Sequence, residues 1–226
     1  MDNQKSQRGF SLIELMIAMS VTIVIAGIAS SLVAQSFRMR SREDARSDAI
    51  ADAQRALNIV SREIANSGFG LVDNGLVNNS EDTGPGSIRF RSDLNRYTRD
   101  VFGNPVSGAE SVEDPDEDIK YAMYHDNDAN RHYLVRFDVN VGGREGTTVL
   151  ANRLDTFLLE YFDGDGNALD VVNDPVNAIP LTWKVRITVG VVLPAQGVPG
   201  SPGYHAESTI NLRSEVVLRN ASQITY

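Results

Sequence analysis

Residues 15–34 read LMIAMSVTIVIAGIASSLVA, twenty residues without a charge, Pro, Asn or Gln. As an α-helix such a run spans about 30 Å, the thickness of a bilayer's hydrocarbon core. A buried core helix rarely stays apolar on every face for five turns, and this run does. It therefore reads as a membrane-spanning helix. Working outward, residues 9–37 hold a single charge, Glu14. A charged side chain costs roughly 2.5–3.5 kcal/mol at the centre of a membrane helix and less near its end, so its presence is by default a sign of function.

A cleaved secretory signal is one reading of this N-terminus. Lys5 and Arg8 supply a basic start, and Gly27-Ile28-Ala29 supplies a small-x-small site that would release a chain starting at Ser30. The apolar run is too long for that, and a signal peptide gains nothing from Glu14. Residues 8–20, RGFSLIELMIAMS, instead resemble the processing motif of type IV prepilins and type II secretion pseudopilins. The shared pattern is a short basic leader ending in Gly, then Phe, then an apolar stretch with Glu at its fifth position. Gly9, Phe10, Ser11, Leu12, Ile13, Glu14, Leu15 and Met16 match without a departure.

The resemblance implies cleavage between Gly9 and Phe10 by the membrane-embedded prepilin peptidase, then N-methylation of the new Phe10 amine. It divides the chain into a leader (1–9), a transmembrane and filament-core helix (10–34), an amphipathic continuation (35–66) and a periplasmic β-rich domain (67–226). A positive amine at Phe10 near the bilayer edge gives Glu14 a partner, on its own helix or on a neighbouring subunit's. An unpaired charge in low dielectric is costly and a paired one much less so. Glu14 would thereby select the axial stagger of a subunit entering a filament. The alternative is a solvated Glu near the interface. Counting Lys and Arg flanking the span favours the opposite orientation, with Lys5 and Arg8 before it and Arg38, Arg40, Arg42 and Arg46 after it. The motif implies N-in and C-out.

Beyond the span, no Pro occurs before Pro85 and no Gly lies between Gly27 and Gly68. Residues 35–66 are rich in good helix formers, and Ile50, Ala53, Leu57, Val60 and Ile64 form one narrow apolar stripe. The expectation is one helix to Asn66, about 85 Å long, stopped at Ser67-Gly68. Its stripe should pack on the chain's own sheet.

Residues 68–86 are rich in Gly and Asn and read as a loop. After them come alternating apolar positions: Ile88 and Phe90; Ile119, Tyr121 and Met123; Tyr133, Val135, Phe137 and Val139; Phe157, Leu159 and Tyr161. Trp183, Val185, Ile187, Val189, Val191 and Leu193 give the clearest strand. The loop PAQGVPGSPG at 194–203 separates it from Ile210, Leu212, Val216 and Leu218, a final strand antiparallel to it. The fold class is therefore α+β, a long N-terminal helix packed on a C-terminal antiparallel sheet. This layout, with RALNIVSREIANSGFG and LEYFDGDGN, also resembles PilW-type minor pilins and the J-type pseudopilins of type II secretion.

DGDGN at 163–167 raises the possibility of calcium, through Asp163, Asp165, Asn167 and Asp170. An EF-hand loop wants Gly and Glu where this chain has Ala168 and Asp174. A tight Asp-Gly turn between strands explains the same residues. The acidic run Glu110, Glu113, Asp114, Asp116, Glu117 and Asp118 contains Pro115 and reads as a solvated loop. His125 and His132, in HDNDANRH, are metal-ligand residue types, but turn chemistry explains that segment equally well. No cofactor is expected.

Charge and composition close off other classes. The chain has 226 residues, no Cys and a net charge of −9, with a pI near 4.8. Thiolate metal sites, disulfides and Cys nucleophiles are excluded, and the acidity argues against nucleic acid as a partner. Residues 1–66 hold eight basic and seven acidic residues, and residues 67–226 hold thirteen and twenty-three, so the acidity belongs to the C-terminal part. No nucleophile elbow, zinc-protease helix, phosphate loop or dinucleotide fingerprint is present, and no enzyme is expected. The reading is a minor pilin or pseudopilin, a structural subunit that primes assembly. It would be held in the bacterial inner membrane and then drawn into a filament. Its expected partners are prepilin peptidase, other major and minor pilins or pseudopilins, the inner-membrane assembly machinery and membrane lipid. The rivals are a J-type pseudopilin of a secretion system, or a membrane-anchored periplasmic binding module dependent on calcium.

Overall fold

The computed structural model describes residues 11–94, 112–127, 131–152, 154–193, 195, 197, 199–200 and 204–220. Helix α1 runs over Leu12–Ala65, uninterrupted because no Pro occurs before Pro85 and no Gly lies between Gly27 and Gly68. The chain divides into two compact units, one up to Ser47 and one from Asp48. The first is α1's apolar half, whose residues from 11 to 41 are all exposed.

The second unit holds the rest of α1 and all the strands. Strands β1 (Ser87–Arg91), β2 (Asp118–Asp126), β3 (Arg131–Asp138) and β4 (Thr147–Asn152) form one antiparallel sheet in that order. Strands β5 (Leu154–Phe162), β6 (Ala168–Leu169), β7 (Lys184–Leu193) and β8 (Ser208–Val217) form a second, in the order β6-β5-β7-β8. The antiparallel pairing of β7 with β8 is as the alternation predicts. The division into two sheets, and the strands β4 and β6, were not visible in the alternation. A short helix, α2 (Pro175–Leu181), lies between β6 and β7, with Pro180 inside it; no element is expected there from the sequence. Pro180 has no N–H for the Val176 carbonyl, and the Asn78 side-chain amide donates to that oxygen instead, at 3.4 Å.

One core joins α1 to both sheets, and Ala53, Ala56, Val60 and Ile64 of the helix are almost wholly buried in it. Ile50 is only half-buried, and Ala49 takes its place. Facing them are Ile88, Tyr121 and Leu134 of the first sheet and Leu159, Val185, Ile187 and Val189 of the second. Strand β3 departs from the expected phase. Its face in register with Ile119 and Tyr121 carries Asp138 and Arg136, not Phe137 and Val139. Val139 is 43% exposed.

The end of α1 is held by close backbone approach. Gly68 has φ +76° and its N–H donates to the Arg91 carbonyl at 2.9 Å. A Cβ on Gly75, itself at φ +72°, would collide with the Gly68 and Arg91 backbones, so only glycine fits. Ser67 Oγ donates to the Asn74 carbonyl at 2.6 Å. The buried Asn74 amide in turn donates to the Ile179 and Thr182 carbonyls at 2.8 and 3.1 Å, satisfying the end of α2.

Candidate functional site

The N-terminal half of α1 presents apolar side chains on every side. Leu12, Ile17, Ile23, Ile28 and Phe37 are each more than half exposed, and no part of the apolar run is buried. By length and composition the helix can cross a membrane. Apolar surface of this extent marks contact with lipid or with another protein. Four of the hydroxyls within it are satisfied locally. Ser20, Thr22, Ser31 and Ser36 donate to the carbonyls of Met16, Ala18, Ile28 and Leu32 at 2.8–3.0 Å. A hydroxyl bonded back to its own helix is not left open to hydrocarbon.

Glu14 is exposed in the first turn, where the Leu15 amide donates to the Ser11 carbonyl at 3.1 Å. A carboxylate at this end favours the helix dipole, a role independent of any partner. Gly9 and Phe10, the expected processing residues, lie outside the described residues.

The charged residues of the second unit are more organised than their sequence suggests. Glu63 on α1 accepts hydrogen bonds from Tyr121 Oη at 2.6 Å and Arg136 Nε at 2.9 Å, and Arg136 Nη2 donates to Asp116 at 2.6 Å. Burial, reinforced by the Glu63 carboxylate, pushes the Tyr121 phenol well above its ordinary value. Asp118 receives a two-pronged bond from Arg89, at 2.7 and 2.9 Å, and a third from Arg91 at 2.9 Å. Arg89 and Lys120 also hold Asp82, at 3.0 and 2.7 Å. Burial pushes the Asp82 and Asp118 carboxyls up, but their cationic partners outweigh it and hold both below the ordinary carboxylate range.

This corrects the reading of the acidic run as a solvated loop at its C-terminal end, whereas Glu113, Asp114 and Asp116 are exposed as that reading expects. Glu117 and Asp118 are buried, and Glu117 accepts from the amides of Leu94 and Asp114 at 2.9 and 3.2 Å. Asp116 takes the left-handed conformation, φ +69°. Glu110 lies outside the described residues. A run of carboxylates by itself looks like a solvent face, and the cations that fold onto this one come from β1 and β3. The available signal was Arg136, a charge at the same strand parity as the buried Leu134.

The calcium candidates form two separate turns. Asp163 accepts from the amides of Asp165 and Asn167 at 3.0 and 2.8 Å and from the Asn167 side chain at 2.9 Å. The Asn167 bonds pull its carboxyl below the ordinary value. Asp170 accepts from Val172 and Asn173 at 3.1 and 3.0 Å and from the Asn173 side chain. The tight turn joining β5 to β6 is thus present, with Asp163 turned towards N–H groups. Among the described residues no three His, Asp or Glu side chains converge on one metal position. His125 and His132 face each other across β2 and β3.

Comparison with known proteins bears on the N-terminus. Residues 4–32 match the family model described as the prokaryotic N-terminal methylation motif. No curated protein matches the chain. Among solved structures, a type IV-like pilin from Thermus thermophilus is similar at 10% identity and a TM-score of 0.46, over 77% of this chain and 97% of that one. No residue role follows from a likeness at that level. The chain thus carries a prepilin-type N-terminus, on a long helix followed by antiparallel sheets.

Proposed function

We propose that the protein is a minor subunit of a type IV pilus, structural rather than enzymatic, with its second unit in the periplasm. The observation that carries this is the first half of α1: apolar on every face, exposed throughout, with Glu14 as its one charge. The methylation motif over residues 4–32 supports it. Prepilin peptidase would cut between Gly9 and Phe10, and the Phe10 amine would be methylated. Packing of apolar helices drives assembly, Glu14 pairs with an amine to set the stagger, and the acidic domain supplies partner choice.

Intact-mass measurement of the protein from bacterial membranes tests the processing step. A mature chain starting at methylated Phe10 is expected, and a chain starting at Ser30 would overturn the reading in favour of a cleaved signal. Pull-down of the intact protein from membranes tests the system. Co-purifying pilins are expected, whereas co-purifying secretion pseudopilins would assign it to type II secretion.

A further inference from the structure

His125 and His132 are direct cross-strand partners near the end of the β2–β3 pair. Residues opposite each other in an antiparallel pair place their Cβ atoms about 4.5–5.5 Å apart on one face. Here the two imidazole rings lie 4.4 Å apart, centroid to centroid, tilted by 35°. His125 is exposed and His132 half-buried, so an ion in solution reaches them. Among the described residues, no hydrogen bond engages either ring.

We infer that the two rings form a bidentate site for a borderline divalent transition ion of the zinc, nickel and copper class. A metal–imidazole bond of about 2.0–2.1 Å puts two nitrogens on one ion about 3.3 Å apart. Rings at this separation reach that spacing by side-chain rotation, without moving the strands. Imidazole suits this class of ion, whereas calcium and magnesium take oxygen ligands. Water completes the coordination. In the sequence the six residues DNDANR separate the pair, which looks like turn chemistry; the strand register is what makes it a chelate.

The test uses the intact protein in detergent micelles, free of any histidine tag, titrated with nickel chloride by calorimetry. One ion per chain is expected. His125→Gln and His132→Gln should each weaken binding by at least about tenfold, while His205→Gln leaves it unchanged. No saturable binding, or one-to-one binding that survives both substitutions, would overturn the site. The unsubstituted protein provides an independent reading. Paramagnetic nickel should broaden the ring resonances of His125 and His132 before those of His205, and equal broadening of all three histidines would sink the idea.

Discussion

Arg136 shows how much one side chain can hold. It reaches from β3 to Glu63 on α1 and to Asp116 in the acidic run, and is only 14% exposed. Removing one partner of a half-buried, hydrogen-bonded charge pair leaves the other without its bonds, at about 1–3 kcal/mol. Arg136→Ala should lower stability by that amount, read from the urea midpoint of the intact protein in micelles. The double replacement of Arg136 by Met and Glu63 by Leu should cost less than the single one. Glu14 belongs to the same scale but acts between chains. Under the proposed function, Glu14→Val should leave cleavage at Gly9 unchanged and abolish incorporation. Sheared pilus fractions blotted for this protein would show it, and normal incorporation of the variant would refute the pairing role.

At the scale of elements, α1 is one helix with two different surfaces. Its first half is apolar all round and its second half buries a single stripe, because the two halves meet different surroundings. The stripe's last member, Ile64, is fully buried. Its truncation to Ala should cost about 2–5 kcal/mol through lost burial and a residual cavity. Val176 on α2 is 67% exposed, and Val176→Ala should stay within about 0.5 kcal/mol. Thermal melts followed by circular dichroism separate the two outcomes, and equal effects would contradict the assigned packing. The second sheet's outer face is laced by Lys184, Arg186, Glu160 and Glu215. Both cations also sit over the Phe162 ring, at 4.9 and 4.6 Å. Exposed pairs of this kind are worth little individually; here their charged heads also lie against an aromatic face.

For the molecule as a whole, acid is the revealing perturbation. Asp82 and Asp118 both titrate below the ordinary carboxylate range. A carboxyl held down in the folded state contributes stability that is present above its unfolded value, near 3.9, and lost as pH falls through its folded value. The protein should therefore keep its stability at neutral pH and lose it progressively below about pH 4. Asp118→Asn should lower stability at neutral pH and flatten the acid limb, as measured by melting temperature across a pH series. An unchanged acid limb would mean that the Arg89–Asp118–Arg91 cluster does not hold the first sheet together.

The membrane-competent helix, its continuation to Ala65, the methylation motif and the alternation of β5 and β7 follow from the sequence alone. Each rests on a local property: hydropathy, the absence of Gly and Pro, a fixed offset from Gly9 to Glu14, or a period of two over many residues. Tertiary structure decided the rest. Periodicity says which residues share a face but not which strands share a sheet, so two sheets looked like one. Arg136 and Asp118 looked like solvent-facing charges because their partners lie many residues away. Likewise His125 and His132 met only when the register of β2 against β3 was set. Pairing across strands is a non-local choice, made by the burial of one common core against α1, and no short window of residues contains it.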